Sequence, residues 1–309
     1  MYESLEWNEI KITAHAAGQH IPLKYGEVGT GGTRVTLIAG THGDEGPWSA
    51  LAIRKLCERP LAQLKGRLRV IFTANALAAE VERRNSWIDS PNSVDLDSVF
   101  PGTKGGSHTE RLAAHLTPLL EDSDAIIDMH GGGTWCINAF VKRFEGSEQL
   151  AADMGAPFIS NAPNKHGGLT TYARERGIKV TNVEVGGRSG KEMYWIERNA
   201  QGLERALYNL SVLALDTPPA PAQKAIDVGK TEAMRTNVGG IFVPTLTADA
   251  VGTIVPAGTE MGKILDLHTL EELQVFSAPY EQTAMMLMRP QICTIEGSAL
   301  VYVVAQPVQ

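Results

Sequence analysis

The chain has 309 residues, 43% hydrophobic and 20% charged, with 31 Gly, 16 Pro and a formal charge of −7 at pH 7. That length buries a sizeable core in one large domain or two ordinary ones, and the composition excludes a disulfide-stapled miniature, a coiled coil and a disordered chain. A pI near 5.7 without any dense Lys/Arg block excludes a protein that works by neutralising nucleic-acid phosphates.

The opening MYESLEWNEI has no basic stretch leading into an apolar one, and no run of some eighteen apolar residues follows, so a cytoplasmic protein without a membrane partner is expected. Cys57, Cys136 and Cys293 are far apart and never in a C-x-x-C arrangement, which suggests neither a disulfide framework nor a thiolate zinc site. They are read as small packing residues.

In chain order, GEVGTGG (26–32) precedes a strand rather than opening a helix, so it is read as a hairpin turn and not as a phosphate loop. RVTLIA (34–39) is strand-like and ends in AGTHGDEGP; after Pro47, WSALAIRKLCE spaces its apolar residues along one helical face, with proline in the first turn. LRVIFTA (68–74) is the next strand, and residues 107–123 read as a helix capped by Ser107 or Thr109. AIIDM (125–129), INAFV (137–141) and VTNVEV (180–185) complete an alternation of β and α that implies an α/β layer fold with a parallel or mixed sheet.

LDTPPAPAQK then breaks the pattern. The expected division is a catalytic domain at 1–217, a Pro-rich linker at 218–223 and a C-terminal all-β unit at 224–309, whose short β runs between Gly, Pro and Asp turns have a barrel-sandwich outline. No lysine follows Lys263, so a lipoyl-type swinging arm is not expected there.

Candidate chemistry collects at strand ends. His42 and Glu45 follow RVTLIA, His130 ends AIIDMH, and Glu184 lies near the end of VTNVEV, each run being followed by glycines. Open α/β sheets bind ligands outside the carboxyl ends of their strands, and two histidines with one carboxylate make a zinc set that leaves a fourth position open. Glu184 then remains for proton transfer. H-x-x-E alone recurs by chance, and a single loop histidine is more often a surface residue; the repeated setting is what distinguishes these three. Asp128, two residues before His130 on a strand, shares its face and either orients that ligand or serves a turn. His108, His115 and His166 are read as non-ligands, His115 in a helical pattern and the others in polar loops.

GTHGDE, IDMHGGG and VEVGG together resemble the H-x-x-E, H and E motifs of the succinylglutamate desuccinylase/aspartoacylase family, zinc amidohydrolases related to the M14 carboxypeptidases. The resemblance covers nearly the whole chain. It implies a zinc-carboxypeptidase-like mixed sheet flanked by helices with a C-terminal β domain, one zinc per chain held by His42, Glu45 and His130, and Glu184 as general base and acid. NALAAEVERRNSWIDSPNSVDLDSVFPG resembles the family pattern N-x-x-A, Arg, DLNR-x-FPG, which matches Arg84 (or adjacent Arg83) to the arginine that polarises the scissile carbonyl.

The chain departs from that pattern by placing Asp97 and Ser98 where Asn-Arg is usual. Losing a guanidinium removes a bidentate carboxylate partner, and the added carboxylate favours a neutral or amine-bearing substrate group. Alternatively Asp97 caps a turn, and Arg143, Lys165, Arg174 or Arg188 supplies the clamp. The expected activity is zinc-assisted hydrolysis of the amide of a small N-acyl amino acid or N-acyl amine, with no nucleic-acid partner and the oligomeric state open. The alternatives are an M14-type carboxypeptidase on short peptides, an esterase using the same site, and a non-catalytic binding or scaffold protein.

Overall fold

The computed structural model describes residues 1–13, 19–89, 94–162 and 165–308; positions 90–93 of the arginine-bearing stretch and the final residue of the β unit lie outside the described residues. Strands β1 (Glu6–Thr13) and β2 (His20–Val28) pair antiparallel along one edge. Strand β3 (Arg34–Ala39) leads into helix α1 (Gly46–Leu56), which turns Trp48, Ala52, Ile53 and Leu56 inward. Strand β4 (Arg67–Ile71) and the short α2 (Ala76–Glu80) follow, then α3 (His108–Glu121).

A reciprocal capping box starts α3: Ser107 Oγ accepts from the Glu110 amide while the Glu110 carboxylate accepts from the Ser107 amide. His108, expected in a polar loop, is instead a buried residue of the first turn of α3, its amide donating to Asp89. The first-turn amides of a helix have no intrahelical acceptor, and Asp89 accepts from both His108 and Thr109.

The chain continues through β5 (Ala125–His130), β6 (Ile137–Arg143), α4 (Glu148–Asp153), β7 (Phe158–Asn161), α5 (Leu169–Arg174), β8 (Lys179–Gly187) and α6 (Glu192–Asn209). These build a mixed sheet in the order β1-β2-β4-β3-β5-β8-β6-β7, in which β4, β3, β5 and β8 are parallel and β6 runs against β8. Side-chain alternation divides the core: Ile38, Ile126 and Val180 pack with Leu112, Leu116 and Tyr172 of α3 and α5, whereas Leu37, Ile127 and Val183 pack with Ile53 and Leu203 of α1 and α6.

The stretch GEVGTGG is not a hairpin. β2 and β3 are separated in the sheet by β4, so the segment crosses over that strand. A side chain at Gly29 would meet the Gly66 carbonyl at 2.2 Å, which explains the glycine by close backbone approach instead of hairpin geometry.

Among the described residues beyond the Pro-rich segment come only strands and a single 3-10 turn: β9 (Ile226–Arg235), β10 (Gly240–Pro244), β11 (Ile254–Val255), β12 (Glu260–Leu265), β13 (Glu272–Ser277), β14 (Thr283–Met288), β15 (Cys293–Ile295) and β16 (Leu300–Pro307). They do not stand apart from the first sheet. β7 pairs with β9, β9 with β16, β16 with β14, and β14 returns to β6, closing a ring of five strands around Phe158, Val228, Ala284, Met286 and Ala305. A second sheet, β13-β12-β10-β15, packs Phe242 and Phe276 against Tyr302 of β16 at centroid distances of 6.0 and 5.8 Å. Among the described residues no helix is long and apolar enough to cross a membrane.

The cap of α3 gives a direct check on this reading. Ser107→Ala removes an amide partner and is expected to cost about 1 kcal/mol in urea unfolding, with an unchanged m-value.

Candidate metal centre

The parallel arrangement of β3, β5 and β8 brings three carboxyl ends to one edge. His130 is the last residue of β5 and sits directly across from Glu184 of β8, while His42 and Glu45 lie in the turn between β3 and α1. That turn is pressed against α2: a Cβ on Gly43 would lie 2.0 Å from the Ala78 backbone, so only glycine lets His42 and Glu45 descend this far.

His42, Glu45 and His130 are 3%, 8% and 2% exposed, deep enough that bare charges would be costly. Glu45 Oε2 lies 2.9 Å from His130 Nδ1, Glu45 Oε1 lies 3.1 Å from His42 Nδ1, and the two Nδ1 atoms are 3.2 Å apart. On the far side of each ring stands a carboxylate, with Asp95 Oδ1 3.1 Å from His42 Nε2 and Asp128 Oδ2 3.0 Å from His130 Nε2. Each of these carboxylates can hold a proton on Nε2, so that a cation in place of the Nδ1 protons would meet both Nδ1 lone pairs aimed at one point. Two lone pairs facing each other across 3.2 Å repel unless a proton or a cation lies between them. The spacing also fits an ion, since ligands ~2.0–2.1 Å from a tetrahedral zinc are about 3.3 Å from each other.

The electrostatics agree with a site built for positive charge. Burial opposes ionisation of Glu45, but the two imidazoles outweigh it and hold the carboxyl well below its usual range. Burial likewise opposes charging His130, and Asp128 and Glu45 overcome it to raise its pKa. Asp95, also opposed by burial, is held down by His42, Arg84 and Lys165.

Around this cluster the remaining candidates separate. Glu184, 14% exposed, accepts from Lys142 Nζ at 2.8 Å and from Asn138 Nδ2 at 3.1 Å. Arg84, rather than its neighbour Arg83, donates to Glu45 Oε1 at 3.3 Å and to Asp95 Oδ2 at 3.1 Å. Asp97 has both oxygens engaged: Oδ2 accepts from Lys165 Nζ and Oδ1 from the Leu169 amide at the start of α5, each at 3.0 Å. It therefore ties its turn to Lys165 and to the start of α5. Ser98 lies in the same turn, its amide bonded to the Asp95 carbonyl.

Arg143 and Arg174 are not brought to the cluster. Arg143 belongs to the odd-numbered series on β6 that faces away from Glu184, and it pairs with Asp227 and Asn161. Arg174 stacks over Phe144 at 5.4 Å. Arg188 pairs with Glu82. The residues that sequence reasoning passed over are Asp95, Asn138 and Lys142. Asp95 begins the DLDS tetrad already singled out, and Asn138 and Lys142 share strand parity, the signal that would have found them.

Residues 31–210 match a family model described as the succinylglutamate desuccinylase/aspartoacylase catalytic domain. Over 115 residues the chain is 36% identical to the N-alpha-acetyl-L-2,4-diaminobutyric acid deacetylase of Halomonas elongata; the match spans 37% of this chain and 32% of that protein's length. Among solved structures, a succinylglutamate desuccinylase from Silicibacter sp. superposes with a TM-score of 0.83 at 18% identity, covering 98% of this chain and 95% of that one. The product-bound ectoine utilization protein of Ruegeria pomeroyi gives 0.82 at 18% identity, covering 97% and 95%. A succinylglutamate desuccinylase/aspartoacylase from Rhodobacter sphaeroides gives 0.81 at 20%, covering 99% and 95%. At these identities the structural likenesses show a shared fold.

Replacing Asp128 by Asn keeps its shape but removes the negative charge 3.0 Å from His130 Nε2. Asp128→Asn is expected to lower affinity for zinc roughly 10- to 100-fold in a chelator competition, and an unchanged affinity would reduce Asp128 to packing.

Proposed function

Because this chain belongs to the succinylglutamate desuccinylase/aspartoacylase catalytic-domain family, whose named relatives include a deacetylase, we propose that it is a zinc-dependent amidohydrolase acting on a small N-acyl amino acid or N-acyl amine. The observation that carries this reading is the pair of Nδ1 atoms converging on the Glu45 carboxylate, with the Glu184 carboxylate on the adjacent strand. Two imidazoles and a carboxylate suit zinc and leave a coordination position for a reactant. The strands and helices up to the Pro-rich segment are read as the zinc-carboxypeptidase arrangement, with residues 224–309 as its C-terminal β unit.

A divalent ion held by His42, Glu45 and His130 supplies Lewis acidity, which acidifies water and polarises a carbonyl. Glu184 takes the proton from the attacking water and returns it to the leaving amine, the role of a general base that becomes a general acid. Lys142 and Asn138 each hold one of its oxygens and fix where that carboxylate stands. Arg84 is half-exposed yet anchored by Glu45 and Asp95, so its guanidinium is set beside the cluster to stabilise an oxyanion.

Glu184→Gln should retain about one zinc per chain while lowering turnover of an N-acetyl, N-formyl and N-succinyl amino acid panel by ~10²–10⁴-fold. Metal analysis beside that assay decides the role: loss of zinc from a folded variant would place Glu184 in the metal shell.

A further inference from the structure

Every cation already described around the metal cluster has an acid for a partner. Arg84 holds Glu45 and Asp95, Lys142 holds Glu184, Lys165 holds Asp97, and Arg188 holds Glu82. A substrate carboxylate binding there would share its donor with an acid already paired to it. Arg289 differs. Among the described residues it has no acidic partner, its Nε is buried without an acceptor, and its Nη1 meets only the Cys293 sulfur at 3.7 Å. Its guanidinium instead lies over the face of Trp135, 4.6 Å from the ring centroid.

The placement of Arg289 is fixed by the ring of strands that joins β14 to β6. Leu287 pairs with Asn138, whose amide bonds Glu184, and Met288 pairs with Ile137, so Arg289 is the next residue outward at the edge where the site opens. Trp135 belongs to the loop that runs from His130 into β6. The neighbouring Cys136 thiol is pushed up by burial and by Glu45 and Glu184, while Arg289 opposes that shift, which puts all three charges around one group. The segment is also held in place: the Arg289 amide donates to the Val301 carbonyl, and Gln291 Nε2 donates to the Arg188 carbonyl at 2.8 Å.

We propose that Arg289, contributed by the C-terminal strands, receives the carboxylate of an N-acyl α-amino acid substrate, replacing the guanidinium that Ser98 does not provide. This rests on the amidohydrolase reading for the identity of the ligand and goes beyond it in naming the specificity residue. A guanidinium stacked on indole presents its planar N–H edge, the geometry that takes a carboxylate through two parallel bonds. The Nε N–H is buried without an acceptor, so the guanidinium keeps donor capacity that no protein group uses.

The test is binding calorimetry on the zinc-loaded full chain with two matched pairs of probes. They are N-acetyl-L-alanine against N-ethylacetamide, and Nα-acetyl-L-2,4-diaminobutyrate against N-acetyl-1,3-diaminopropane, each second member lacking only the carboxylate. The wild-type chain should bind an acid at least about tenfold more tightly than its partner. Arg289→Gln should reduce that preference to about twofold or less with little change for the uncharged or amine partner, and Arg289→Lys should restore part of it. The proposal is overturned by a wild type without the preference, by a preference that survives Arg289→Gln, or by a variant that loses both partners equally. An Arg289-dependent preference without hydrolysis in the wild type would sink the amidohydrolase reading and leave the clamp standing.

Discussion

Two imidazole nitrogens held 3.2 Å apart over a buried carboxylate form an arrangement that is stable only with positive charge between them. Much of the surrounding structure serves that constraint. Asp95 and Asp128 stand behind the rings as negative charges on the Nε2 side. The parallel strands bring His130 and Glu184 side by side, and Gly43 lets the turn carrying His42 and Glu45 pack down on α2. The cost of burying Glu45 is offset only if these groups act together, so the site is a network whose members are not independent.

Strand β6 is the second element on which the architecture turns. One edge of it pairs with β8 and supplies Asn138 and Lys142 to Glu184, and it also pairs with β7 and β14 within the five-stranded ring. The C-terminal strands are therefore hydrogen-bonded into the sheet that carries the His/Glu cluster. Residues separated by more than a hundred positions, such as Asn138 and Leu287, become neighbours through that pairing. A displacement of β14 would be felt at the β6 groups that hold Glu184.

Charge pairing neutralises acids around the cluster. Arg84, Lys142 and Lys165 each neutralise a carboxylate that would otherwise repel an acidic ligand or sit unpaired near the cluster. Asp97, which as a sequence feature suggested an amine-binding group, is neutralised by Lys165 and tied to the start of α5. Its effect on a substrate is therefore muted by a partner 68 positions away in the chain.

What the sequence determined by itself was local: strand runs ending in glycine-rich turns, a helix signalled by Pro47 and another by Ser107, and the histidines and glutamates placed at strand ends. Those features are legible because backbone preferences, capping and side-chain alternation act over a few residues. Tertiary structure alone decided the partners. Whether GEVGTGG turned back or crossed over depended on β4 inserting between two strands, and the β unit closed its ring only by borrowing β6 and β7. Arg143 carried the right charge on the wrong face, while Lys142, one residue earlier, reached Glu184. Ion pairs and strand pairings over long separations depend on how the whole chain packs, and no local pattern in the sequence encodes them.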